Sequence, residues 1–222
     1  MLKVRIEMVA APDRTARPQS TTRELRDVAV GYALLNAALW TRGWIQAACG
    51  LATAVWVFAC TAQSPRSARD LGTARAGFRQ SFWIVFAAMA IGTIALLLAE
   101  QAGTLHGLHG TDIPLWHAGL YALWAMLQEF LLQSFIFVRF QTAFGSPRAI
   151  LCTACLFSAA HLPNLVLMAA TFAMGLSFTY LFWRYRNIYT LGTAHALLGL
   201  SLAVSLPNAI THYMHVGAAF WT

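Results

Sequence analysis

Seven apolar segments alternate with polar stretches along this chain, at about 28–41, 43–61, 82–100, 114–138, 149–162, 165–183 and 188–206. A helix rises 1.5 Å per residue, so about 20 apolar residues cross a hydrocarbon layer roughly 30 Å thick. The second, third, fourth, sixth and seventh segments meet that length most clearly. The first and fifth are short for a full crossing, and Arg42 leaves only a tight turn between the first two. The pattern predicts an all-α, polytopic helical membrane protein of about seven transmembrane helices. Three parts follow from it: a polar arm over 1–27, a helical membrane domain over 28–206 and a tail over 207–222.

Composition supports this reading. Of 222 residues, 59% are hydrophobic and only 10% are charged, against about 25% charged in a soluble domain. The net charge of +7 is no nucleic-acid signal, because the basic residues are spread over the arm and short loops. On seven crossings the arm, the 62–81 loop, the 139–148 loop and the 184–187 loop share one side. Those stretches hold every one of the 15 basic residues except Arg42. The opposite loop, 101–113, has His106, His109 and Asp112 but no Lys or Arg, and the tail has neither. By the positive-inside rule the N-terminus is expected in the cytoplasm and the C-terminus outside. No cleavable leader is evident, and a bacterial-type inner membrane is the expected location. Cys49, Cys60, Cys152 and Cys155 all lie in apolar runs and read as small buried hydrophobes.

Against this background one residue stands out. Glu129 sits inside the fourth apolar segment, while the other seven acidic residues lie in the arm, in loops or at segment edges. A carboxylate at the bilayer centre costs about 2.5–3.5 kcal/mol on insertion scales, so it marks a functional site by default. Glu129 lies ten residues before Arg139, His161 thirteen after Arg148, and His195 nine after Arg186. Along helices these spacings correspond to depths of about 15, 20 and 14 Å from the basic edge. Three ionisable groups on three segments thus converge on one level.

The surrounding residues extend the pattern. Gln133 follows Glu129 by four positions on the same helix face, and Gln128 is adjacent. The glutamines alone are better read as an interhelical polar seam. Pro163 ends or kinks the fifth helix beside His161. Thr171, Gly175 and Thr179 form a small-residue stripe suited to close helix packing. On the last segment Gly192, His195 and Gly199 share a face, and the space beside the imidazole suits either close packing or substrate access. His212 and His215, with Tyr213, Phe220 and Trp221, read as interfacial anchors of the tail.

These residues resemble the motifs of the CPBP (Abi) family of intramembrane endopeptidases, which includes the type II CAAX prenyl proteases. That family shows Glu-Glu-x-x-x-Arg on one helix, Phe-x-x-x-His on the next and a later His-x-x-x-Asn. Phe157-x-x-x-His161 matches the second, His195 matches the histidine of the third, and the likeness covers roughly 114–206. Gln128 stands where the family has its first glutamate, Gln133 where it has arginine, and Gly199 where it has asparagine. The resemblance implies a glutamic-type endopeptidase in which Glu129 and His161 activate water, and His195, assisted by Asn164, supports the oxyanion. The implied catalytic residues are Glu129, His161 and His195, with Gln128, Gln133 and Asn164 in support. The implied partners are the lipid bilayer and a membrane-embedded or lipid-modified protein substrate, with no nucleic acid; the oligomeric state is left open. No cofactor is expected, with zinc on Glu129, His161 and His195 as a minor option, since three N/O ligands with an open position suit hydrolysis. Two rival functions share the same residues: a catalytically inactive membrane scaffold, favoured by Gln128, and a proton-coupled carrier, in which the acid and the imidazoles relay protons.

Overall fold

The computed structural model describes residues 18–107 and 115–221. Every regular element among them is helical. Most of the polar arm, along with His109 and Asp112, lies outside the described residues. The helices are α1 (Pro18–Trp40), α2 (Gly43–Ala62), α3 (Phe78–Ser81), α4 (Trp83–Gln101), α5 (Leu115–Glu129), α6 (Val138–Phe144), α7 (Ser146–Ala159), α8 (Leu165–Tyr185), α9 (Ile188–Ser205) and the short α10 (Asn208–Thr211). Six of the seven apolar segments each fall mainly on one helix, and the fourth runs from α5 to the start of α6. Among the described residues five helical stretches are long and apolar enough to cross a membrane, whereas α1 is too polar at its start and α7 too short. The protein is a helical integral membrane protein.

Side-chain placement follows from that solvent. Trp44, Leu51, Phe86, Leu98, Leu123 and Leu165 point outward, while Glu129, Gln133, Arg139, Thr153, Asn164 and Thr179 are buried. Lipid accepts an exposed apolar surface and offers nothing to a polar group, so polar side chains turn inward; Glu129 and Asn164 pair there, while the Thr153 and Thr179 hydroxyls have no hydrogen-bond partner among the described residues. The interior is centred on Phe135, Phe137, Phe182 and Leu191. The four cysteines are free; three are partly buried, and Cys155 is exposed on the apolar surface rather than buried.

Two elements differ from the sequence reading. First, the 139–148 stretch is not a loop. The chain continues from α5 through a π-helical segment, Phe130–Phe137, into α6, and only Gly145 separates α6 from α7. Gly145 takes a positive φ of 78° that glycine adopts without a Cβ clash. Arg139 enters the interior because Glu24 of α1 lies 3.5 Å from its Nε, the Phe135 carbonyl accepts from its Nη1 at 3.0 Å, and its guanidinium stacks 4.1 Å from the Phe135 ring centroid. Second, α1 begins ten residues ahead of its apolar segment; there Arg23 and Arg26 flank Asp27 as ion pairs.

The packing of the last four helices sets the site. The helices α7 and α8 form an antiparallel pair, and a Cβ at Gly175 would lie 3.0 Å from the Ala154 Cα, so the small-residue stripe brings these two backbones together. Helix α9 packs between α4 and α5. Asn187 caps α9 by accepting from the Thr190 amide, and Asn164 caps α8 by accepting from the Leu167 amide; such caps contribute about 1 kcal/mol each.

Candidate active site

The π segment starts one residue after Glu129 and closes on a bond from the Val138 amide to the Gln133 carbonyl. Such wide turns are rare overall but frequent at functional sites. Glu129 is completely buried. Its Oε1 accepts from His195 Nδ1 at 2.9 Å, and its Oε2 accepts from Gln133 Nε2 at 3.1 Å. The carboxylate thus has a donor on each oxygen, which offsets its removal from water. The i, i+4 relation of Gln133 to Glu129 predicts this bond, and it forms across the start of the π turn.

The second imidazole is held differently. His161 stands in the turn just after α7, where helix α7 has ended at Ala159 ahead of the cis Leu162–Pro163 bond. Its Nδ1 donates to the Phe157 carbonyl at 2.8 Å. The Phe157 ring lies edge-on to both imidazoles, 5.1 Å from His161 and 5.9 Å from His195 between centroids. Phe178 packs against the other side of His195 at 6.5 Å. Phe157 therefore fixes one histidine through its carbonyl and both through its ring, a role that its motif spacing hinted at without stating.

Both hydrogen bonds use the Nδ1 positions. A proton on Nδ1 leaves each neutral imidazole with a bare Nε2. His161 and His195 line one cavity of about 420 Å³, together with Gln128 from α5. Its other walls are almost entirely apolar and come from α1, α4, α8 and the tail. The three segments that sequence depth brought together do meet, but with a different order of contact. Glu129 is not on the cavity wall; His195 stands between it and the open space. The helix position that faces the cavity is Gln128, a neutral amide.

The remaining expectations divide. Asn164 carries no free donor: its Nδ2 donates to the carbonyls of Thr211 at 2.7 Å and His215 at 3.1 Å, and its Oδ1 is the α8 cap. Its assignment to the oxyanion is therefore corrected to that of a fastener between the His161 turn and the tail. No group of three His, Cys, Asp or Glu side chains gathers among the described residues, and both Glu129 oxygens face donors. The glycines beside His195 serve packing: a Cβ at Gly192 would meet Met126, and one at Gly199 would meet the Tyr121 hydroxyl.

No curated protein matches the chain at a significant level. A family model does match, over residues 110–201, and it spans α5 through His195 and Gly199. Over this stretch the chain is similar to the Rce1-like type II CAAX prenyl endopeptidases.

Proposed function

We propose that the protein is an intramembrane endopeptidase that cleaves lipid-modified or membrane-anchored peptides, with His195 as general base and Glu129 as the group that orients it. The observation that carries this reading is the 2.9 Å bond from His195 Nδ1 to the buried Glu129, with the opposite ring edge on the cavity. A carboxylate behind an imidazole fixes the tautomer and stabilises the imidazolium that forms, which is the logic of an acid–histidine pair in acyl transfer. A water in the cavity donates one proton towards His195 Nε2 and the other to His161 Nε2, so its lone pair is aimed at the substrate carbonyl. As the water oxygen bonds to that carbon, His195 takes its proton. The carbonyl oxygen becomes the oxyanion, and the Gln128 side-chain N–H is the donor that meets it. Breakdown of the tetrahedral species cleaves the C–N bond, and the His195 imidazolium returns the proton to the leaving amine. The apolar walls suit a lipid-tethered chain and keep bulk water from the reacting groups.

The test is cleavage of a farnesylated reporter peptide in vesicles, with products read by mass spectrometry. His195→Ala and His161→Ala are each expected to lower turnover by about 10²–10⁴ at unchanged protein levels. Retained turnover in His195→Ala overturns the assignment. Binding of the peptide without turnover by the wild type points instead to an inactive binding protein, for which the neutral Gln128 on the cavity wall is the supporting feature.

A further inference from the structure

The cavity contains several polar groups that are already spent. Tyr32 donates its hydroxyl to the Leu156 carbonyl at 3.0 Å, Ser201 to Leu197 at 2.8 Å, and Thr171 to Leu167 at 2.6 Å. No Lys, Arg, Asp or Glu lines it. Tyr121 is the exception among the hydroxyls. It lines the same cavity, and its O–H makes no hydrogen bond to any described residue. Its oxygen lies 1.9 Å from where a Cβ at Gly199 would be, so the phenol rests directly on the α9 backbone.

That position is set by two helices. Gly199 is one turn beyond His195 on the same face of α9, about 6 Å along the axis. Tyr121 precedes Gln128 by seven residues on α5, two turns that return it to the same face. The hydroxyl is thereby held on the cavity wall, displaced from the catalytic histidine towards the tail end of the bundle. An extended peptide advances about 3.3–3.6 Å per residue. A carbonyl two residues from the bond being cut therefore falls at the level of this hydroxyl.

We infer that Tyr121 is a substrate-positioning residue, whose phenolic O–H donates to a backbone carbonyl of the bound peptide about two residues from the scissile bond. This rests on the endopeptidase reading and deepens it. An uncharged cavity with one free hydroxyl recognises main chain rather than a charged side chain, and a fixed main-chain donor sets the register in which the peptide meets His195. The glycine at 199 is what admits the phenol to this place.

Two variants and two readouts test it. Tyr121→Phe keeps the ring in the Gly199 notch and removes only the donor. With the farnesylated reporter peptide in vesicles, KM is expected to rise about three- to tenfold while kcat changes little, since the bond is made equally in ground and transition states. The cleavage position is also expected to spread to neighbouring bonds, which a role in packing does not produce. Gly199→Ala, which displaces the hydroxyl, is expected to reproduce both effects. Direct binding of the peptide to His195→Ala, followed by fluorescence of the cavity-lining Trp124, is expected to weaken by the same factor when Tyr121→Phe is added. Unchanged KM, binding and cleavage position in Tyr121→Phe overturn the assignment to Tyr121 alone. Intact turnover in His195→Ala overturns the endopeptidase reading itself.

Discussion

At the scale of single residues, the site turns on which of two adjacent side chains faces the cavity. Gln128 and Glu129 are about 100° apart around the helix, and only the amide reaches the open space. Depth along each segment was legible in the sequence, which is why Glu129, His161 and His195 were grouped. Rotation about the helix axis was not, because it depends on how α5 packs against α9. The order of contact, acid behind His195 rather than acid on water, follows from that rotation. A discriminating outcome attaches to Gln128→Glu. If the amide donates to the oxyanion, a carboxylate there repels the developing charge, and turnover is expected to fall about 10²–10³-fold. A rise instead would move the general base to position 128. Gln133 gives a second outcome. Gln133→Leu removes the donor to Glu129 Oε2 and leaves that buried oxygen unpaired, a loss of about 1–3 kcal/mol. Removal of the Gln133 Oε1, itself buried without a partner, offsets part of it. A lowered unfolding midpoint in detergent, with kcat reduced because the acid no longer holds a single position, is the expected result.

At the scale of elements, the apolar runs located most of the helices to within a few residues, the start of α1 and the whole of α6 excepted, because lipid-facing helices must be apolar along their length. What they missed has a common cause, pairing between distant residues. Arg139 reads as a loop residue by its charge, yet Glu24 sits beside it from α1 and lets the helix continue to Phe144. The π segment is a change of hydrogen-bond partner within a largely apolar run, and the Gln133 and Ser134 it holds do not mark that change. Asn164 looked like a spare donor because sequence does not show the tail carbonyls that occupy it. The small-residue stripe, in contrast, was legible, since its spacing alone implies a close neighbour. It yields an outcome on stability. Gly175→Leu forces a side chain against the Ala154 backbone and is expected to cost about 1–3 kcal/mol or more, read as a lowered unfolding midpoint. Gly119→Ala, with nothing within 4 Å of the new methyl, is expected to be neutral or to gain up to about 1 kcal/mol from helix propensity. Equal midpoints for the two variants would exclude close α7–α8 packing.

At the scale of the whole molecule, the two ends of the bundle are built from different chemistry. One end is basic: Arg66 donates to Glu24 at 2.9 Å and to Thr142 at 3.0 Å, and Arg186 reaches the Asp70 carbonyl at 3.1 Å and the Gln141 side chain. Arg66 and Arg186 thus fasten α1, α6 and the 62–77 stretch to one another at this end. The other end is tied by carbonyls. Because α7 stops short, the tail fills the space beneath it: the Gly217 amide donates to the Leu162 carbonyl at 2.7 Å, Arg42 donates to the Ala218 carbonyl, and Met214 and Val216 complete the cavity wall. Beside it, the His106 amide donates to the Val204 carbonyl at 3.0 Å and the Thr104 hydroxyl to that of Ser205 at 2.9 Å. The His106 ring faces two more, Gly107 at 3.0 Å from Nδ1 and Leu206 at 2.7 Å from Nε2. Two acceptors require two N–H groups, so the Gly107 and Leu206 carbonyls hold this imidazolium above the ordinary histidine value. A raised folded-state pKa means that the clasp contributes fully below the unfolded value, near 6.5. It is lost as pH rises through the folded value. Amide exchange across 103–107 is therefore expected to be slow at pH 6 and to quicken beyond its intrinsic base dependence towards pH 8. His106→Ala is expected to exchange fast at both and to lose that extra step. The arginine-tied end has no such group, so its exchange should follow intrinsic chemistry alone, and a matching step there would assign the effect to the bundle as a whole rather than to His106.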